Sequence, residues 1–138
     1  MRRYLVLSVL ALSLTACASS SPKQAQNEFD DIPVPSGLTF DADKSTVIES
    51  NSMKAARLVY KGRIEPDSLG ATFRTALEAN GWRHMASSTS SQKGITQVYE
   101  KSGNSLHILI YEGIYYTWLE VSATRLAAPP TTTTSQVR

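Results

Sequence analysis

One stretch of this chain, Pro66 to Asn80, repeats its apolar residues at helical spacing, while the other patterned stretches alternate with the period of a strand. A lone amphipathic helix buries its stripe best against a sheet, which points to one sheet with one helix laid across it. Leu69, Phe73, Ala76 and Leu77 make the stripe, and Arg74 and Glu78 face away from it. Pro66-Asp67-Ser68 opens the helix, with Asp67 or Ser68 placed to accept bonds from the free amides of the first turn. Asn80-Gly81 stops it, because glycine accepts the left-handed cap, and Trp82 then folds back over the helix end or starts the next strand.

The strands are predicted at Ser45 to Ser50, Ala56 to Lys61, Trp82 to Ser87, Ile95 to Lys101, Ser105 to Tyr111 and Tyr115 to Thr124. Ala56, Leu58 and Tyr60 alternate with Arg57, Val59 and Lys61, the pattern of a half-buried strand. Ser87 to Gly94, Ser102-Gly103-Asn104 and Glu112-Gly113 supply turn chemistry for antiparallel hairpins. Ile32-Pro33-Val34-Pro35-Ser36-Gly37 is an extended lead-in, since a residue before proline is pushed out of helical space. The expected fold class is α+β: a curved antiparallel sheet in the order β-β-α-β-β-β-β, with the helix packed across one face.

The flanks cannot belong to that core. Met1-Arg2-Arg3 is a positive n-region, and Tyr4 to Leu14 an apolar run too short to span a bilayer as a stable helix, so residues 1–16 read as a signal peptide. Leu14-Thr15-Ala16-Cys17 resembles the lipobox of bacterial lipoproteins, and the resemblance implies cleavage before Cys17 and lipidation of its thiol. The rival reading is an ordinary secretory leader with Cys17 as a stray thiol. Cys17 is the sole cysteine, so no intramolecular disulfide forms, and lipidation accounts for its presence. Ala18 and Ser19 follow it in place of the aspartate that retains enteric lipoproteins in the inner membrane, so in a Gram-negative cell the resemblance implies the outer membrane, facing the periplasm.

Residues 17–31 read as a lipidated flexible tether, because Ser, Gln, Ala and Asn dominate and the acids Glu28, Asp30 and Asp31 beside Phe29 suit a solvated linker. Residues 127–138, with Pro129-Pro130 and a run of four threonines, read as a disordered tail. One α+β domain, 32–126, lies between them. Removing Arg2 and Arg3 with the leader leaves twelve bases against twelve acids, so the mature chain is neutral and carries no footprint for nucleic acid.

Little in the domain reads as catalytic. His84 and His107 lie on separate predicted strands with no zinc-ligand spacing, and read respectively as a surface position near Trp82 and as the face opposite Leu106, Ile108 and Ile110. Asp41, Asp43 and Ser45 match the start of a calcium loop without its glycine or closing acid. The chain lacks a Gly-x-Ser-x-Gly elbow, a phosphate loop and a dinucleotide fingerprint, so the reading is no enzyme and no cofactor. What stands out is aromatic. If the helix covers Leu106, Ile108 and Ile110, then Leu109, Tyr111, Tyr116 and Trp118 form a candidate binding face on the uncovered side. The competing reading packs those aromatics in a second small core beneath the Ile32 to Phe40 lead-in.

From Pro33 to about Tyr111 the chain resembles small proteobacterial lipoproteins of unknown function, through Ile32-Pro33-Val34-Pro35, Leu58-Val59-Tyr60-Lys61-Gly62, a short helix and Asn80-Gly81-Trp82. These residues serve turns, caps and packing, and the resemblance implies no substrate. The sequence therefore points to a non-catalytic interaction or envelope-maintenance domain, held on the membrane by a lipid anchor, with an envelope protein or peptidoglycan as partner. The alternative is a small hydrolase or ligand-binding protein that uses the open sheet face.

Overall fold

The computed structural model describes residues 29–126. The expected leader, the expected lipidation site at Cys17, most of the expected tether and the expected tail lie outside the described residues. Seven antiparallel strands form one sheet: β1 (Leu38–Phe40), β2 (Thr46–Glu49), β3 (Met53–Gly62), β4 (Arg83–Ser90), β5 (Gly94–Lys101), β6 (Asn104–Glu112) and β7 (Thr117–Leu126). The order is β1-β3-β7-β6-β5-β4, and β2 shares the outer edge of β3 with β1. The helix α1 (Pro66–Ala79) lies over β4, β5 and β6, so the α+β sheet-and-helix fold is the one expected.

Alternation decides the two faces. Ile95, Gln97 and Tyr99 on β5, Leu106, Ile108 and Ile110 on β6, and Leu119, Val121 and Ala123 on β7 all turn toward the helix side and are buried. Leu69, Phe73 and Leu77 come down onto them from α1, each at most 1% exposed. At about 1.5–3 kcal/mol for each large apolar side chain buried, this layer is the main stabilising element. The helix crosses close to the sheet at Gly70, where an added Cβ would sit 3.4 Å from the Gln97 amide and 3.7 Å from Ile110.

Both helix ends are sealed, one of them differently from expectation. The cap is Glu65, not Asp67 or Ser68: its carboxylate accepts from the backbone N–H of Asp67 at 3.0 Å and of Ser68 at 2.7 Å. Pro66 takes the first helical position, where no N–H is needed, which leaves the residue before it to cap. Those two bonds hold the Glu65 carboxyl below its usual range. At the far end Gly81 takes φ +82°, Trp82 N–H bonds Leu77 O and Gly81 N–H bonds Glu78 O, and the buried Trp82 closes over the end as a Schellman motif.

Phe29 and Asp31, expected in the solvated tether, belong to the folded body. Phe29 is 2% exposed in the same core as Ile32, with the Arg125 guanidinium 4.6 Å above its ring, and Arg125 also pairs with Asp31. Composition over a window hides one aromatic residue that finds a slot. The lead-in thus packs on the helix side, over the β3 and β7 half that α1 leaves bare.

Beneath the helix, Tyr99 donates its hydroxyl to Gln97 Oε1 at 2.8 Å, and the Gln97 amide donates to Gly70 O at 3.3 Å. Burial pushes the Tyr99 phenol from 10.0 up to about 12. The folded chain holds this proton more tightly than the unfolded one, so its contribution is complete below pH 10 and is lost as pH rises toward 12. We expect unfolding free energy to fall across that window by up to about 1.4 kcal/mol per pH unit. Tyr99→Phe should flatten the slope in denaturant titrations, and an unchanged slope would remove Tyr99 as its source.

Candidate functional site

The face away from α1 carries Thr96 and Val98 on β5, His107, Leu109 and Tyr111 on β6, Trp118, Glu120 and Ser122 on β7, and Arg57, Val59 and Lys61 on β3. It is only partly open. Between β1 and β2 the chain makes a 3-10 turn, Ala42–Lys44, against β3, and Val59 is 1% exposed although it points to this side. The turn replaces the missing ladder bonds, with Asp41 N–H on Val59 O at 2.8 Å and the Ser45 hydroxyl accepting from Val59 N–H at 3.0 Å. Lys44 reaches over the Trp118 ring, 3.6 Å from its centroid. Lys61 pairs with Asp41 at 3.1 Å, which holds the Asp41 carboxyl below its usual range.

Three of the four expected face residues are therefore neighbours. Tyr111 stands opposite Trp118, and Leu109 opposite Glu120, all three on the uncovered side and half-buried. Tyr116 is not with them. Strand β7 begins at Thr117, and Gly113 to Tyr116 form a four-residue turn closed by Gly113 N–H on Tyr116 O at 2.8 Å, in place of the expected two-residue Glu112-Gly113 turn. The Tyr116 ring sits at the sheet end beside Arg63, 5.7 Å from the guanidinium. The rival reading of a second core beneath the lead-in does not hold either, since that lead-in packs on the helix side and the cover here is the 3-10 turn.

Glu120 organises the centre of this face. Arg57 binds its carboxylate through Nε at 3.0 Å and a second guanidinium nitrogen at 2.7 Å, while the Tyr111 hydroxyl donates to the other oxygen at 3.1 Å. Burial, followed by the bond and the negative charge of Glu120, raises the Tyr111 phenol above its usual value. Glu120→Gln should bring the Tyr111 midpoint down, read from the pH dependence of its ring Cζ shift. A midpoint that stays put would mean that burial alone sets it.

Beside this network runs an open cleft of about 720 Å³. Its floor is Leu109 and Tyr111, one wall is the β4–β5 hairpin with Thr89, Ser90, Ser91 and Gln92, and it continues round to Glu65 and Asp67 at the start of α1. Its walls carry the hydroxyls of Thr89, Ser90, Ser91 and Thr96 and the Gln92 amide, with carboxylates at Glu65, Asp67, Glu112 and Glu120 and one ammonium at Lys93. His107, exposed, faces into it. The strand hydroxyls and Tyr111 are held by paired strands, so the site is largely preformed. Sequence reasoning found Leu109 and Tyr111 by alternation, and it missed the hydroxyl wall because Ser87 to Gly94 read as a turn. In the structure β4 runs on to Ser90 and pairs Ser90 with Gly94, leaving only Ser91–Lys93 as the connection.

One pair suits hydrolytic chemistry. His84 Nε2 lies 2.7 Å from the Ser87 hydroxyl on β4, brought into reach by the bulge between His84 and Ala86. The ring meets Tyr99 edge-on at 5.3 Å, and among the described residues no carboxylate bonds it. Ser87 does not line the cleft. The described residues contain no group of three His, Cys, Asp or Glu placed to hold a metal ion, and no helix long and apolar enough to cross a membrane.

Comparison with protein-family models finds no match, and neither does comparison with curated proteins. Among solved structures, the chain is similar to that of LpqN, involved in cell envelope biogenesis of Mycobacterium tuberculosis, at 16% identity and a TM-score of 0.38, over 70% of each chain. At that overlap, function has to be argued from the chain's own residues.

Proposed function

We propose that this protein is a lipid-anchored module of the bacterial envelope, held through Cys17 in the outer membrane and facing the periplasm, whose domain binds a partner non-catalytically. The observation that carries the binding role is the cleft on the uncovered face: an aliphatic and aromatic floor beside a wall of hydroxyls, on paired strands. Such a surface suits an extended polar chain, as in a glycan strand or a peptide from peptidoglycan or an envelope protein, because hydroxyls and amides match its alternating donors and acceptors while Leu109 and Tyr111 cover its apolar edges.

The test places a photo-crosslinking residue at Leu109 in cells, with Thr72 on the exposed side of α1 as the reference. Adducts at 109 that are absent at 72, and lost in Cys17→Ala, are the expected result. Equal labelling at both positions would remove the cleft as the binding surface. The His84–Ser87 pair favours the hydrolase alternative, and a fluorophosphonate probe decides it: labelling abolished by Ser87→Ala and by His84→Ala would make the protein a hydrolase, and absence of labelling keeps the binding reading.

A further inference from the structure

The two most exposed large apolar side chains do not lie in the cleft. Ile114, 93% exposed, and Tyr115, 77% exposed, stand side by side on the turn between β6 and β7 with Tyr116 at 40%, whereas Ile48, Met85 and Leu126 are exposed singly on strands. We propose that this turn is a membrane-interfacial tip that inserts between lipid headgroups.

Three observations carry it. The turn is braced: Gly113 N–H bonds Tyr116 O, the Gly113 backbone lies against the Trp118 indole, and the Thr117 hydroxyl bonds Ile64 O. Its side chains are thus presented outward with little ordering left to lose on binding. Its composition fits the bilayer boundary, where tyrosine sets its ring among the acyl chains and its hydroxyl among the headgroups, and where Arg63 beside Tyr116 can meet a phosphate. Its area is too small for a protein partner. The three side chains offer on the order of 400 Å², about half of the 800 Å² that each side of a stable protein interface buries. A convex tip needs a matching pocket in a protein, whereas a bilayer accepts it anywhere. Glu65 and Glu112 flank the same turn and offset Arg63, so insertion draws on apolar contact and not on attraction to anionic lipid.

The inference rests on the membrane address proposed above, which brings the tip near a bilayer. Phe29, where the described chain begins, contacts Arg125, eight strand residues from Thr117 and so about 27 Å from the tip end of β7. Phe29 is twelve residues after Cys17, a reach of at most about 40 Å, so the tip can meet its own bilayer with the domain lying down, or an opposing one.

The test uses the lipidated protein in vesicles of phosphatidylethanolamine and phosphatidylglycerol. With Cys17 acylated, Ile114→Cys supplies the one free thiol for an environment-sensitive fluorophore, and Thr72→Cys is the reference. We expect lipids with brominated acyl chains to quench the label at 114 and not at 72. Adding Tyr115→Ser should lower the inserted-to-free ratio about tenfold, and changing the phosphatidylglycerol fraction should have little effect. Quenching in isolated vesicles assigns the tip to its own bilayer, and quenching only after bare brominated vesicles are added assigns it to an opposing one. Protein that floats with the vesicles but shows no quenching at 114 overturns the tip and leaves the anchor standing. A label shifted without bromine quenching means contact with a second copy and also overturns it, and protein that does not float overturns both tip and anchor.

Discussion

Phe73→Ala is expected to lower the unfolding free energy by about 3–5 kcal/mol, enough to consume most of the stability of a domain this size. Phe73 is 0% exposed at the middle of the α1 stripe, with Leu69 one turn before it and Leu77 one turn after. Removing the ring takes away its transfer free energy and also leaves a void that Leu106, Ile108 and Ile110 cannot fill, because they are fixed by sheet register. Chemical denaturation would show the midpoint collapse with little change in slope. Phe73→Leu, which keeps much of the volume, should recover a large share. A loss below about 1 kcal/mol for alanine would mean that α1 is not the principal cover of the sheet.

The second large effect is at Gly94, which pairs with Ser90 at the start of β5 and lines the cleft. Its φ of +80° is left-handed, and an alanine Cβ there would lie 2.0 Å from the Ile110 carbonyl oxygen. The obstacle is backbone in the next strand, so no side chain can move aside. Gly94→Ala should cost more than the about 1–2 kcal/mol of left-handed strain alone, because β5 must also separate from β6. Gly103→Ala is the control, since Gly103 has φ +79° with nothing within 4 Å of its would-be Cβ, and should show strain only. The larger fall in melting temperature for Gly94→Ala should come with loss of the Ile95–Ile110 amide protection, and with loss of crosslinking at Leu109. Equal effects at the two glycines would mean that the hairpin can rise off β6 without penalty.

The helix and the two sheet faces were legible in sequence because both are written in local periodicity. Leu69, Phe73 and Leu77 fall four residues apart, and Leu106, Ile108 and Ile110 alternate with His107 and Leu109 wherever their partners lie. Errors arose where a long-range contact overruled local composition. Ser87 to Ser90 reads as loop, yet pairing with Gly94 to Gln97 makes it strand. Tyr115 and Tyr116 read as strand, yet the Glu112–Thr117 pair ends the ladder and leaves them on the turn. Glu65 caps because its longer carboxylate reaches two amides from the position before Pro66, a geometry that propensity alone does not rank first.

By itself the sequence determined which residues could form a helix stripe and which alternated across strands, since those are properties of neighbours along the chain. Tertiary structure decided the rest. It placed Phe29 in the core, laid the 3-10 turn and Lys44 over Trp118, tied Arg57 and Tyr111 to one carboxylate, and joined Asp67, Thr89 and Leu109 around one cleft. Each depends on segments far apart in sequence meeting at one sheet, and strand order, which brings them together, is set by the free energy of the whole packed arrangement and not by any local run of residues.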